Sequence, residues 1–254
     1  MLLTWIIIFS LAGGLLSLVG GVALLFRKKP WSSQGILTAI SFAAGVLLAV
    51  AFGDLLPEAI ELAEEAGLEP HSLLLWSLAA VVGFFLFERS FVWFHHHHGP
   101  HEDQPDPVVS MVLLGDTLHN FIDGLSITAS FMVSIPLGIT TSIAVAAHEL
   151  PQEIADFSLF LSKGMSKKRA LLLNILSSLA TLVAALLAFY FWDIISIFIP
   201  HILAFTAGMF IYIASSDLIP ELHRSLKQGH AWLQVSMFLV GILGTLYLSG
   251  LFHA

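Results

Sequence analysis

Two stretches of this 254-residue sequence set imidazoles and carboxylates at helical spacing. In Asp116-Thr117-Leu118-His119-Asn120-Phe121-Ile122-Asp123-Gly124, His119 and Asp123 lie four residues apart and so share a helical face, with Asn120 one step round. In His148-Glu149-Leu150-Pro151-Gln152-Glu153-Ile154-Ala155-Asp156, His148 and Gln152 do the same, with Glu149 on the neighbouring face. Both stretches sit inside apolar runs, where ionisable side chains are costly and mark function. His119, Asn120, Asp123, His148, Glu149 and Gln152 are therefore the candidate ligands of a metal ion. Imidazole and carboxylate donors suit zinc, and also iron(II), nickel, cobalt and manganese. The sequence has no Cys, which removes thiolate ligands and disulfides and argues against copper(I). Amides among the donors hold an ion less tightly than a closed structural zinc site does, as suits an ion that must leave again.

The elements that position these residues follow from hydropathy. The chain is 57% hydrophobic and 11% charged, against about a quarter charged in soluble domains, and its mean hydropathy is +0.89. Spanning helices need about 20 apolar residues. Eight segments qualify: Leu2–Phe26, Gln34–Leu62, His71–Trp93, Val108–Val133, Pro136–Leu161, Lys168–Trp192, Pro200–Leu222 and Ala231–Leu251. The expected fold is an all-α membrane protein, one transmembrane domain over residues 1–254 with no soluble domain. The first segment exceeds the apolar region of a signal peptide and is read as a retained membrane helix. All ten Lys and Arg residues lie in or beside the linkers after segments one, three, five and seven. The positive-inside rule puts those linkers in the cytoplasm and both termini outside, in the cell (inner) membrane. His119 and His148 each lie about a dozen residues from a cytoplasmic end, near the bilayer midplane at about 1.5 Å per residue. The short Ser134-Ile135-Pro136 turn makes segments four and five antiparallel neighbours. No resident cofactor and no nucleic-acid partner is expected.

The chain also repeats itself. Phe42-Ala43-Ala44-Gly45 and Gly53-Asp54-Leu55-Leu56-Pro57-Glu58 align without a gap on Phe205-Thr206-Ala207-Gly208 and Ser216-Asp217-Leu218-Ile219-Pro220-Glu221. The copies fall on segments running in opposite directions, the signature of an inverted repeat. Segments one to three and six to eight then flank segments four and five. Asp54, Glu58, Asp217 and Glu221 are candidate entrance and exit residues, or else helix caps and repeat contacts. Asp116, Glu153 and Asp156 lie toward the cytoplasmic side of the central donors as further steps. Pro151 withholds a hydrogen bond from the Ala147 carbonyl, a break tolerated where a helix lines a cavity. The linker at about residues 94–107 reads as a disordered cytoplasmic loop. Its His95, His96, His97, His98 and His101 are candidates for weak metal capture, or a neutral spacer.

The paired motifs resemble the ZIP family of zinc and iron transporters, with HNFxDG on segment four and HExPxE on segment five. The form is similar to the branch whose fifth helix reads HExPHE, and the resemblance covers nearly the whole chain. It implies influx of a divalent metal, zinc foremost, as transported substrate, by sliding of one helix bundle against another, often as a homodimer. It implies one site lined by His119, Asp123, His148 and Gln152 and a second by Asn120, Asp123, Glu149 and Gln152. Two departures stand out. Gln152 replaces a His or Glu, which weakens both sites, and Ala170 to Phe191 contains no Asp or Glu where some members place a carboxylate. Iron or manganese remains an alternative cargo. An intramembrane metalloprotease would need H-E-x-x-H, and here Gln152 stands in place of the second His. A metal-free proton carrier would leave the convergence of six donors unexplained.

Overall fold

The computed structural model describes residues 1–26, 33–95, 107–224 and 231–253, and every element in them is helical. In chain order they are α1 (Leu2–Phe26), α2 (Ser33–Val50), α3 (Leu56–Glu65), α4 (Pro70–His95), α5 (Pro107–Val133), α6 (Ile135–Ser162), α7 (Lys167–Tyr190), α8 (Trp192–Ile195), α9 (Ile199–Tyr212), α10 (Ile219–Arg224) and α11 (Ala231–His253). A π-helical stretch, Ala51–Leu55, joins α2 to α3, and another, Ile213–Leu218, joins α9 to α10. These elements cover the eight expected segments within a few residues, except that the seventh begins earlier, with α8 and a 3-10 turn. His95 ends α4, while His96, His97, His98 and His101 lie outside the described residues.

Local chemistry sets the boundaries beside the polar motifs. The Ser134 hydroxyl accepts the Leu137 N–H at 3.2 Å and Pro136 occupies the first turn, so α6 starts there. It closes on Gly164, whose φ of +79° suits a residue without a Cβ. Among the described residues, five helical stretches are long and apolar enough to cross a membrane: Gln34–Glu65, Pro70–Ser90, Lys167–Tyr190, Trp192–His223 and Ala231–Leu251. The chain is an integral, multi-pass membrane protein. The long helices α5 and α6 fall outside that set, and they carry Asp116, Asp123, Glu149, Glu153 and Asp156.

The sequence repeat is also a backbone repeat. Leu56 N–H reaches back five residues to the Ala51 carbonyl, and the aligned Ile219 N–H reaches back five to Ala214. Pro57 and Pro220 follow directly, unable to return a hydrogen bond to Gly53 and Ser216, and the wider turn sits where that bond is missing. By contrast α6 runs through Pro151 without a break. Irregular backbone therefore belongs to the repeat, not to the segment where Pro151 pointed.

Packing divides the helices into two sets. α1, α5, α6 and α7 pack mainly on one another, as do α2–α3, α4, α9–α10 and α11. The seam between the sets runs chiefly between α2 and α6 and between α5 and α9. α2 packs on α11 as α9 packs on α4, and α6 on α1 as α5 on α7. Those are the pairings of an inverted repeat in which the first and last three segments exchange and α5 exchanges with α6. The aligned glycines explain the close approaches. A Cβ at Gly45 would sit 2.2 Å from the Phe238 carbonyl oxygen, and one at Gly208 would sit 2.2 Å from that of Ser77. Small residues let helix backbones touch where lipid supplies no hydrophobic drive.

Candidate metal centre

α5 and α6 bring His119, Asp123, His148 and Glu149 to one point, with one ligand atom of each within 4.8 Å of the others. The two Nε2 atoms lie 2.9 Å apart. His119 Nε2 is 3.4 Å from Asp123 Oδ2 and 3.5 Å from Glu149 Oε1. His148 Nε2 is 3.3 Å from Asp123 Oδ2 and 3.8 Å from Glu149 Oε1. A tetrahedral ion with bonds of about 2.0–2.1 Å has edges of about 3.3–3.4 Å between its ligands. The five edges bracket that value.

Electrostatics point the same way. Asp123 and Glu149 are fully buried, and none of their four carboxylate oxygens has a hydrogen-bond partner. Among the described residues their only ion-pair neighbours are the two imidazoles. A buried carboxylate without donors is costly unless a cation offsets it. His148 Nδ1 lies 2.9 Å from the Ala144 carbonyl, which can only accept, so Nδ1 carries the proton and Nε2 turns its lone pair to the cluster. The ring of Phe84 meets His119 edge-on at 6.2 Å between centroids, and Phe210 meets His148 at 5.6 Å. Both phenyl rings come from the other helix set and place apolar surface beside the donors.

Asn120 and Gln152, the two amides of the expected set, are placed differently. Asn120 Nδ2 donates to the Asp116 carboxylate and main-chain carbonyl, each at 3.1 Å, and Gln152 Nε2 donates to Asp116 Oδ1 at 3.4 Å. The Ser177 hydroxyl donates to Asp116 Oδ2, and the Thr181 hydroxyl donates to Asn120 Oδ1 at 2.9 Å. One turn further along α6, the Ser178 hydroxyl donates to Glu153 Oε1 at 2.7 Å. α7 carries no carboxylate. It lines this layer instead with Asn174, Ser177, Ser178 and Thr181, a face that sequence reading missed. Their i, i+3, i+4, i+7 spacing in an apolar helix was the available signal.

The outer candidates scatter. Asp54 is buried and accepts from the Ser249 hydroxyl at 2.5 Å. Glu58 and Asp156 are half-buried, while Asp217 and Glu221 are exposed. A further contact, from the Tyr212 hydroxyl to Glu88, ties α9 to α4.

The profile of the family described as ZIP Zinc transporter matches residues 94–249, more than half of the chain. Among curated proteins, the chain is 38% identical to zinc transporter ZIP10 of Homo sapiens over 168 residues, which is 61% of this chain and 20% of the relative. It is 40% identical to zinc transporter ZIP6 of Homo sapiens over 158 residues, 56% of this chain and 20% of the relative. It is 41% identical to metal cation symporter ZIP8 of Rattus norvegicus over 131 residues, 51% of this chain and 28% of the relative. The chain thus matches between 20% and 28% of the length of these relatives. With HNFxDG on α5 and HExPxE on α6 converging in space, the chain belongs to the ZIP zinc transporter family.

Proposed function

We propose that this chain carries divalent metal ions, zinc foremost, into the cytoplasm through the α5–α6 centre by alternating access. The observation that carries this reading is the tetrahedron of His119, Asp123, His148 and Glu149, with two buried carboxylates that lack donors. Two neutral imidazoles and two carboxylates offset a divalent ion's charge and match zinc in ligand type. The relatives support the same cargo, since those named above are called zinc transporters or a metal cation symporter. Glu149 lies among the donors, whereas the glutamate of an H-E-x-x-H hydrolase activates water beside its metal.

The packing supports movement of one helix set against the other. The backbone-to-backbone approaches at Gly45, Gly208 and Gly124 all lie within a set: α2 with α11, α9 with α4, and α5 with α7. Across the seam the Ser126 and Thr206 hydroxyls pair at 2.7 Å, and the aromatic contacts of Phe84 and Phe210 can slide. In this reading residues 1–254 act as one transporter domain with both termini outside and pair as a homodimer in the cell membrane. Asp54 and Glu58 serve the entrance; Glu153, Asp156, Asp217 and Glu221 serve the exit, beside Asp116, which Asn120, Gln152 and Ser177 hold in place. The tract around His95 to His98 and His101 captures ions leaving the pore.

The test is zinc uptake into proteoliposomes by the parent and by His148→Ala at matched insertion. Loss of most uptake is expected. Uptake near the parent level would remove the reading.

A further inference from the structure

Toward the Val133 end of α5, a cavity of about 270 Å³ lies on the seam between the two helix sets. Leu125 and Ser126 of α5 wall it on one side, and Trp76 of α4 with Phe205 and Thr206 of α9 on the other. The walls are apolar. The Ser126 and Thr206 hydroxyls pair with each other, and each lies 2.8 Å from a carbonyl of its own helix, that of Ile122 or Ile202, so their polar atoms are spent. The mouth opens onto surface of the same kind. Trp76 and Phe198 line the cavity yet are 45% and 50% exposed, and Leu75, Leu78 and Ile197 near them in sequence are more exposed still. In a multi-pass membrane protein such surface meets lipid. An apolar cavity of about 150 Å³ already stays dry and admits benzene. This one is larger and opens on hydrocarbon. Its inner wall leads to the metal centre: Phe205 meets Phe84 at 6.4 Å between ring centroids, and Phe84 meets His119 edge-on.

We propose that this cavity is a lipid site, in which an acyl chain of a bilayer phospholipid lies between α5 and the α4–α9 pair and holds the two helix sets in the arrangement described. The apolar walls have nothing to offer a headgroup, and the exposed mouth at Trp76 and Phe198 admits a chain from the side. A peptide would leave its backbone polar groups unpaired there. The chain passes from one hydrocarbon to another, so it enters and leaves readily and acts through its shape. Both helix sets wall the cavity, so sliding of α5 past α9 changes its outline. A ligand that fits one outline shifts the population toward it. Phe205 carries the effect inward, since a filled cavity presses it toward the ring that flanks His119. The holding role rests on alternating access by sliding; occupancy of the cavity does not.

The experiment uses the full chain in vesicles of phosphatidylethanolamine and phosphatidylglycerol with a trace of phosphatidylcholine that carries a diazirine near the end of one acyl chain. After illumination, adducts are mapped by mass spectrometry. Adducts on Leu125 and Phe205 are expected, beside those on Leu75 and Ile197, which any lipid reaches. Leu125→Trp fills the cavity and should cut labelling of Phe205 by about tenfold or more, with Leu75 unchanged, because a close-packed site has no room for both. Thermal unfolding checks that the variant is folded, and the smaller Leu125→Phe replaces it if not. Labelling confined to exposed residues, or labelling of Phe205 that filling does not move, would overturn the site. The holding role is read without transport. The chain has no Cys, so Ser126→Cys with Thr206→Cys sets a lone thiol pair across the seam. With diamide as oxidant, adding Leu125→Trp should speed formation of that disulfide; an unchanged or slower rate would overturn the hold. Zinc uptake by Leu125→Trp should fall severalfold, and uptake at the parent level with the labelling lost would also overturn the hold. Parent vesicles that carry no zinc would break the transport reading instead, and the labelling and the disulfide would still decide the lipid site.

Discussion

Asp116 and Asp123 lie two turns apart on one helix, and their surroundings are opposite. Asp116 takes hydrogen bonds from Asn120, Gln152 and Ser177, three side chains on three helices. Asp123 is more deeply buried and takes none. A carboxylate surrounded by donors is already solvated by the protein and holds the fold together. A carboxylate deprived of them in the same apolar medium is held at a cost, and a cation at the imidazole centre relieves it. The same chemical group is thus scaffold in one layer and ligand in the next, and neighbouring donors decide which.

That contrast can be broken by substitutions that act in opposite directions. The largest effect is expected from Asp123→Asn. Zinc binding at the centre should weaken by about a hundredfold or more, which is about 2.7 kcal/mol. The metal-free protein should unfold at a higher temperature, because a buried charge without donors is gone and the new amide can donate to an imidazole. Isothermal titration and thermal unfolding of the same preparation read both signs; a destabilised metal-free variant would mean that Asp123 has partners the contrast denies it. Asp116→Asn should behave the other way, losing about 2–3 kcal/mol of stability as an NH2 group meets donors that need an acceptor. Stability unchanged at position 116 would remove the scaffold role.

Gln152→His sharpens the boundary between the layers. Because Gln152 turns its nitrogen to Asp116, a ring N–H can keep that contact, and zinc affinity should rise by less than about tenfold. A larger gain, by titration against the parent, would place position 152 at the ion. The smallest effect is expected from Ser177→Ala, about 1 kcal/mol, the worth of one hydrogen bond to a group with other donors. A loss as large as that of Asp116→Asn would show that Ser177 alone holds the carboxylate.

Much of this was legible in the sequence, for identifiable reasons. Segment positions followed from hydropathy because lipid demands long apolar helices and little else. His119, Asp123, His148 and Glu149 stood out because imidazoles and carboxylates are rare in such helices. The roles of Asn120 and Gln152 were not separable by spacing, since an amide one step round a helix can face an ion or a neighbouring acid. The hydroxyl face of α7 escaped notice because Ser and Thr are common in membrane helices as packing residues. Pro151 drew attention as a helix breaker, whereas the π turns formed ahead of Pro57 and Pro220, within the repeat that sequence alignment had marked. Repetition of Asp-Leu-aliphatic-Pro-Glu was thus a signal of backbone geometry as much as of chemistry.

The most direct test of the central claim is zinc K-edge X-ray absorption on the purified full chain with its loop histidines changed to Ser. At one equivalent of zinc, the account requires four light-atom ligands at about 2.0–2.1 Å with the multiple-scattering pattern of two imidazoles. That pattern should vanish in His119→Ala with His148→Ala. A six-coordinate, all-oxygen zinc in the parent, or an imidazole pattern unchanged in the double variant, would contradict it.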